Sequence, residues 1–269
     1  MGFKKTIVSA TGLSQDKVPS GYQVLGHVML LKMPNISDEE KKIVAKAIMK
    51  EYNYVKTVCE IIQVDGELRQ PIVQKIAGGG TETVHKEHGL IFTLDVSKVM
   101  FSKGNLSERN RLTKLVDRKE TVVDMFAGIG YFSLGVGKVA KQVFAIEKNR
   151  DAYYYLCENI ELNGLTGKVK PILGDCRTTH LDGVADRVIM GYFPDTEKFL
   201  PTALGFLKKK GMIHFHNIYE KDKIPNAEKS VRNIIVENGW ITRRIKTKKV
   251  KSYAPRVLHV VMDISVARA

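Results

Sequence analysis

Proline and cysteine are scarce in this chain of 269 residues, tryptophan occurs once, and long apolar runs are missing. Each shortage removes a class of protein. The three cysteines, Cys59, Cys157 and Cys176, are odd in number and widely spaced. They suggest neither a disulfide framework nor a zinc motif, and they fit a reducing cytoplasm. No metal is expected. No apolar run approaches the ~18–20 residues that span a bilayer, and Met1-Gly-Phe-Lys-Lys5 is not followed by a signal-peptide apolar region. A membrane role is therefore not expected. Acids are also in short supply: 29 Asp and Glu against 43 Lys and Arg leave a formal charge of +14. Such a surplus points to a polyanionic partner, most often nucleic acid. An apolar share of 43% supplies a real core, with length for one large domain and a small one.

What is present centres on Thr121-Val-Val-Asp-Met-Phe-Ala-Gly-Ile-Gly-Tyr-Phe132. The apolar run ending in Asp124 reads as a buried parallel strand, Gly128 and Gly130 as a tight turn, and residues 131–140 as a helix. Glycines suit a turn that needs unusual dihedrals and close ligand approach. A lone Gly-x-Gly is weak, because nicotinamide, flavin and adenosylmethionine sites share it. Two details narrow it. A nicotinamide fingerprint wants a third glycine where this chain has Ser133. Asp124 stands four residues before Gly128, with Phe126 between, as in the Asp-x-Phe/Cys-x-Gly-x-Gly turn of adenosylmethionine-dependent enzymes. Two more acids close strands. Glu147 lies nineteen residues after Gly128, where a carboxylate accepts hydrogen bonds from ribose hydroxyls. Asp175 ends a strand at 168–174, placed to receive an adenine amino group. Acids at three strand ends make a ligand-binding edge, and the ligand expected is S-adenosylmethionine.

The rest of the chain falls around this stretch. Residues 1–20 are polar and irregular and are expected to form a flexible arm. Residues 21–100 read as a small α+β domain. It has a strand at 22–31, a helix opened by the capping box Ser37-Asp-Glu-Glu40 and running through Tyr52, and strands at 57–64 and 70–76. A hairpin at 83–101, broken at His88-Gly89, completes it. His85 and His88 have no third ligand spaced to join them and read as surface histidines. Residues 101–111 link to a helix that Asn105 or Ser107 could cap. Beyond residue 121, strands near 121–126, 142–147, 168–174, 186–191 and 211–216 alternate with helices near 131–140, 149–163, 195–209 and 226–238. Two β-rich runs, 241–250 and 256–264, close the chain as an antiparallel pair.

The fold class expected is therefore α/β. A class I methyltransferase-like (Rossmann-like) doubly wound sheet occupies 101–269, with the small α+β domain before it. Residues 186–194, ending strand four beside the glycine turn, sit where such enzymes place reacting groups. His214 and His216 alternate along a strand, share a face, and are expected to be a buried, hydrogen-bonded pair. The run from Arg243 to Lys251 holds six basic residues in nine, and Arg243, Lys246, Lys248, Lys249 and Lys251 are expected to contact phosphates.

Several longer blocks carry a resemblance. They include Leu94-Asp-Val-Ser-Lys-Val-Met-Phe-Ser102, Asn105-Leu-Ser-Glu-Arg109, Asp124-Met-Phe-Ala-Gly-Ile-Gly130, Ala145-Ile-Glu-Lys148 and Cys157-Glu-Asn-Ile160. Ala185-Asp-Arg-Val-Ile-Met-Gly-Tyr192, Tyr253-Ala-Pro255 and His259-Val-Val261 extend the match over almost everything after residue 20. Together they resemble the archaeal tRNA wybutosine-synthesising protein 2 family of aminocarboxypropyltransferases. The related tRNA guanosine-37 N1-methyltransferases share the glycine turn and are the alternative. Those enzymes typically carry Phe-Ser-Pro-Arg where this chain has Phe101-Ser-Lys-Gly104, and Asn-Leu-Pro or Asn-Pro-Pro where it has Met190-Gly-Tyr192. The chain departs from the transferase pattern at Cys176, where relatives often have Asn, and at Arg256, where they have Gly. A non-catalytic tRNA-binding module with a vestigial cofactor fold is the third reading, and the intact Asp124, Gly128, Gly130 and Glu147 set weighs against it.

The resemblance implies transfer of the 3-amino-3-carboxypropyl group of S-adenosylmethionine to 4-demethylwyosine at position 37 of tRNA-Phe. Methylthioadenosine is the expected by-product, and the enzyme is expected to be a cytoplasmic monomer. It also implies that Ser102 and Arg109 hold the cofactor from the linker side, Arg109 through the carboxylate. Lys148, Cys176 and Gly191 are expected to complete the cofactor site, with Asp175 and Cys176 flanking the adenine. No general base is assigned from the sequence.

Overall fold

The computed structural model describes residues 2–269, with Lys103 described by its backbone alone. The chain divides into two compact units, one ending at Phe101 and the other running Ser102–Ala269.

The first unit begins with helix α1 (Phe3–Thr11), where a flexible arm was expected. The polar composition hides a short apolar stripe of Phe3, Ile7 and Val8. Ile7 is fully buried against Met29, Val44, Ile48 and Val58, so the segment is anchored by packing. The strand expected over 22–31 is in fact a hairpin, β1 (Tyr22–Leu25) and β2 (Val28–Leu31). Gly26 turns it with φ +52°. A Cβ there would lie 2.3 Å from Thr83 Oγ1, so only glycine allows the close approach. Helix α2 (Asp38–Glu51) opens with the predicted capping box: Ser37 Oγ accepts from Glu40 N at 3.2 Å, and Glu40 Oε2 accepts from Ser37 N at 3.0 Å. It carries the crossover to β3 (Thr57–Asp65), which runs parallel to β2 and pairs antiparallel with β4 (Gln70–Gly78). A separate hairpin, β5 (Glu82–Glu87) and β6 (Leu90–Asp95), follows. Thr83 of β5 ties it to the first hairpin by accepting from His27 N and donating to Leu25 O, both at 3.2 Å.

The second unit opens with helix α3 (Leu106–Leu115), whose N-cap is Asn105 without a side-chain cap bond. Strand β7 (Thr121–Asp124), the short helix α4 (Ser133–Gly137), β8 (Gln142–Glu147), α5 (Arg150–Leu162) and β9 (Val169–Leu173) follow. Then come β10 (Ala185–Met190), α6 (Leu200–Phe206), β11 (Leu207–Glu220), α7 (Ile224–Glu237), β12 (Trp240–Ala254) and β13 (Val257–Arg268). The helix expected over 195–209 is split. A 3₁₀ turn, Thr196–Phe199, precedes α6, where Pro201 sits in the first turn and lacks the N–H that a longer helix would need. Helix α4 is likewise half the expected length.

The sheet order is β12-β13-β11-β10-β7-β8-β9. Strands β9, β8, β7, β10 and β11 are parallel, β13 is antiparallel to β11, and β12 is antiparallel to β13. The order reverses between β7 and β10, so crossovers leave that point in opposite directions and open a crevice at the carboxyl ends of the strands. The core beneath is apolar, with Val123, Val188, Ile213, Phe215 and Met262 fully buried or nearly so.

A line of charges crosses this core beside α3. Glu108 accepts two hydrogen bonds from Arg111, at 2.7 and 2.6 Å, and Arg111 also grips Asp263 at 2.7 and 2.9 Å. Asp263 bonds His214 Nδ1 at 2.6 Å, while His214 Nε2 meets Arg187 Nη1 at 2.6 Å. Arg187 closes the line on Glu120, at 2.6 and 2.8 Å. A guanidinium can only donate, so His214 Nε2 must accept, and the imidazole is neutral with its proton on Nδ1 facing Asp263. Burial, and then the Arg187 charge, hold the His214 pKa below its ordinary value, although the Asp263 bond works the other way. Burial opposes ionisation of Asp263, but the bonds from His214 and Arg111 outweigh it and hold its carboxyl well below the usual range. Asp263→Ala would strand two donors, and breaking a buried pair costs about 3–5 kcal/mol. Urea unfolding at neutral pH should show a loss of about 3 kcal/mol, and a loss under about 0.5 kcal/mol would mean the line contributes little.

Candidate functional site

The glycine turn occupies the crevice. Leaving β7, Met125 N donates to Ile189 O at 3.0 Å and Ala127 N to Ile146 O at 2.9 Å, so the backbone is held between β10 and β8. Gly128 and Gly130 have φ +57° and +101°. The second value lies outside what an L side chain adopts, and a Cβ at Gly130 would lie 2.7 Å from Leu134 Cγ. Asp124 is fully buried beneath the turn. Its Oδ2 accepts from Ser133 Oγ at 2.7 Å and its Oδ1 from Phe126 N at 3.4 Å. Burial pushes its carboxyl up to about 6. Ser133, noted in the sequence only as a missing glycine, is thus the donor that Asp124 requires.

Glu147, at the end of β8, ties the turn to the next strand. Its Oε2 accepts from Gly128 N and its Oε1 from Asn149 N, both at 2.7 Å. Each oxygen keeps a second lone pair, which is what a ribose diol would need. Burial raises the Glu147 pKa while these backbone bonds resist the rise. Asp175 follows β9. Arg177 grips both its oxygens, at 2.9 and 2.5 Å, and Lys148 Nζ stands 3.3 Å away. The Arg177 bond, against some burial, holds the Asp175 carboxyl well below the usual range. Both oxygens already face cations, so an adenine amino group would have to compete for them. Cys176 puts its side chain in the core, and burial followed by the neighbouring Asp175 charge pushes its thiol up to about 12. It is no thiolate at neutral pH.

Aromatic rings line the β10 side. Phe126 stacks on Tyr192 with centroids 4.9 Å apart, and Phe199 meets Phe126 edge-on at 5.0 Å. Gly191 lies against Phe132, where a Cβ would come within 2.8 Å of the ring. On the α3 side, the Arg109 guanidinium lies over Tyr131, 4.7 Å from its centroid, and donates to Ser102 O. The structure therefore brings Ser102 and Arg109 to the glycine turn, and the turn to Glu147 and Gly191. Lys148, Asp175 and Cys176 follow at the next strand end.

His214 and His216 do share a buried face, but each bonds elsewhere. His216 Nδ1 pairs with His259 Nε2 at 3.1 Å. His259 and Tyr131 were named in the sequence only inside longer stretches, and Ser133 only in place of a third glycine; none of the three was given a function. Ser133 alone carried a local signal, as a hydroxyl just inside the helix after the turn.

The basic run forms β12, the outer edge of the sheet. Arg243, Lys246 and Lys249 are exposed, while Lys248 and Lys251 are half-buried. Lys251 lies against Gly104, where a Cβ would fall 2.1 Å from its Nζ. Among the described residues, no group of three or more His, Cys, Asp or Glu is arranged to hold a metal, and no helix is long and apolar enough to cross a membrane.

A parallel sheet reversed by one terminal antiparallel hairpin, with its glycine turn at the switch point and a carboxylate closing the neighbouring strand, defines the class I methyltransferase-like enzymes. Within that class, the TRM5/TYW2 methyltransferase domain matches residues 83–239, and the TYW2 N-terminal domain matches residues 7–81. The chain belongs to the TRM5/TYW2 family. A tRNA(Phe) (4-demethylwyosine(37)-C(7)) aminocarboxypropyltransferase of Methanocaldococcus jannaschii is 44% identical over 92% of this chain and 98% of its own length. A tRNA (guanine(37)-N(1))-methyltransferase, Trm5b of Pyrococcus abyssi, is 33% identical over 93% of this chain and 76% of its own. The crystal structure of Pyrococcus horikoshii TYW2 in complex with MeSAdo superposes with a TM-score of 0.86 at 33% identity, covering 99% of this chain and all of that one.

The buried Asp124 gives a pH test. Its pKa rises on folding from about 3.8 to about 6, so the folded state binds the proton more tightly. The ionised carboxylate therefore lowers stability above pH 6, and that cost fades as pH falls towards 4. Asp124→Asn keeps an acceptor for Ser133 and removes the charge. Urea unfolding should show the variant more stable by about 2–3 kcal/mol at pH 8, with the gain shrinking towards zero near pH 4.

Proposed function

We infer that the protein transfers the 3-amino-3-carboxypropyl group of S-adenosylmethionine to the C7 carbon of 4-demethylwyosine at position 37 of tRNA-Phe. The carrying observation is Gly191 lodged against the Phe132 ring. N1-methyltransferases place an Asn-Leu-Pro-like turn there, whose amide serves a base being methylated. Met190-Gly191-Tyr192 has no such amide. The name and near-complete coverage of the Methanocaldococcus relative support the same reading.

Adenosylmethionine presents several electrophilic carbons on one sulfonium, and placement decides which reacts. Glu147 takes the ribose hydroxyls on its remaining lone pairs. Arg109, held by Ser102 and Tyr131, takes the methionyl carboxylate. Asp124, Phe126, Gly128 and Gly130 shape the floor, and Lys148, Asp175 and Cys176 border the adenine end. Such fixing of two reactants can supply about 7–11 kcal/mol of a barrier. The ring carbon attacks the methionyl Cγ, the Cγ–S bond breaks with its electron pair staying on sulfur in methylthioadenosine, and the C7–H bond then breaks, its electrons returning to the ring as the proton leaves to solvent. Chromatography of the nucleoside product should accordingly find methylthioadenosine. Adenosylhomocysteine as the main product would establish the methyltransferase alternative instead.

The tRNA rests in part on β12, through Arg243, Lys246, Lys248, Lys249 and Lys251. Phosphate contacts contribute slopes of ~0.7–0.9 each to the log–log salt dependence. Replacing Lys246, Lys248 and Lys249 with Ala should flatten the slope by up to about two, equally for tRNAs of different sequence. Identical slopes for variant and wild type would leave these lysines as a solvated edge that blocks strand addition.

A further inference from the structure

Three strands at one flank of the large sheet outrun their neighbours. β10 ends at Met190, opposite Phe215, yet β11 continues for 220 − 215 = 5 residues more, to Glu220. β13 pairs with it over that whole length, starting with Val257 opposite Glu220, and β12 follows as far as Ala254 opposite Val257. At ~3.3 Å per residue the overhang rises about 17 Å past the end of β10, at the strand ends where the crevice opens. Its tip is tied down, because Lys221 N donates to Arg256 O at 3.1 Å. The overhang is a wall beside the crevice, and none of the cofactor contacts assigned above comes from it.

A row of rings leads from the glycine turn to this wall. Between centroids, Phe132 lies 5.4 Å from His216, His216 5.3 Å from His259, His259 4.7 Å from Phe193, and Phe193 5.8 Å from Tyr253. The first four are buried, and Phe193 belongs to the segment that leaves β10 after Gly191. Tyr253, near the end of β12, is 50% exposed, so the row surfaces there. Phe193 meets it edge-on, with the ring planes at 88°. That contact fixes the tyrosine ring while half of the residue stays open to solvent. Cations flank it along the chain, since Lys249 and Arg256 are both exposed. Arg256 takes φ +64°, a conformation that glycine would hold without strain, so the chain carries a guanidinium at the tip against a backbone cost.

An exposed aromatic ring between cations suits an unstacked nucleobase and its phosphates. A base drawn out of a loop into a crevice leaves its neighbour with an uncovered face, and protein rings cover such faces. Building on the reading that tRNA is the substrate, we propose that Tyr253 is the stacking platform for a base adjoining residue 37 in the anticodon loop. Every base has a π-face, so the platform supplies grip and register, and the identity of residue 37 is left to the crevice. The buried rings behind Tyr253 set its distance from the glycine turn. The neighbouring base is thereby seated on the rim as residue 37 enters.

The test measures binding of the full chain to tRNA-Phe by filter retention at several salt concentrations. Tyr253→Ala should weaken binding about 5- to 100-fold, while Tyr253→Phe and Tyr253→Trp, which keep a π-face, should stay within about threefold of wild type. The log–log salt slope should be the same for all three, because a stacked base releases no counterions, whereas a lost phosphate contact would flatten it. tRNA-Phe lacking the base at position 36 or at position 38 should bind wild type more weakly in one of the two cases. That loss should not add to the loss from Tyr253→Ala. Adenosylmethionine affinity by calorimetry should be unchanged, which checks that the variants fold. An Ala variant that binds as wild type does overturns the platform, as does a Phe variant as weak as Ala, or an Ala variant whose salt slope flattens. Should Tyr253→Ala fail to fold, the abasic tRNAs decide, and full affinity for both overturns the platform. Wild type that does not bind tRNA-Phe overturns the tRNA reading itself. Adenosylhomocysteine as the product would overturn only the aminocarboxypropyl reading, since stacking beside residue 37 does not depend on the group transferred.

Discussion

Asp263 is the carboxylate on which the larger unit closes. It receives Arg111 from the linker helix and His214 from the neighbouring strand, and through them Glu108 and Arg187 are also fixed. Buried charges are tolerated only when paired and fully hydrogen-bonded, so each member of the line specifies the rotamer of the next. The geometric result exceeds the energetic one. Helix α3 cannot slide along the sheet without breaking the Arg111 contact, and this helix sets Arg109 over Tyr131 and turns Glu108 towards His216. The ion line is thus the scaffold of the cofactor side.

The glycine turn solves a different problem. At the switch point the chain must leave β7 sharply while keeping its N–H groups satisfied. It does so by donating to strands on both sides. Asp124 below it is ionised only at a cost in stability, and that cost persists where a ligand edge is needed. Ser133 explains why a third glycine is missing. The position needs a hydroxyl for Asp124 rather than space for a backbone.

The basic surplus is visible along the outermost strand. An edge strand offers unpaired backbone groups, and lysine there discourages addition of another strand. The same side chains are the ones proposed to contact tRNA phosphates. Lys251 shows how the two can part, since it lies against Gly104 while Lys246 and Lys249 stand exposed.

Much of this was legible in the sequence. The alternation of β8, α5, β9 and β10 appeared as period and punctuation, and Asp124, Gly128, Gly130 and Glu147 were legible as one strand-end group because strand-end acids and paired glycines are local patterns; the structure does bring them together at the glycine turn. The errors were also local in origin. Helix α1 looked like an arm because three apolar residues among polar ones carry little signal until Met29 and Ile48 cover them. The strand over 22–31 hid a hairpin because Gly26 needs Thr83, far along the chain, to show why it must be glycine. His214 and His216 were rightly paired with one face but not with their partners. By itself the sequence determined which residues alternate, cap and turn, since those properties depend on near neighbours. Only the tertiary structure decided that Asp263 meets Arg111 and that His216 meets His259, because hydrogen-bond partners over a hundred or forty residues away are set by sheet register and strand order.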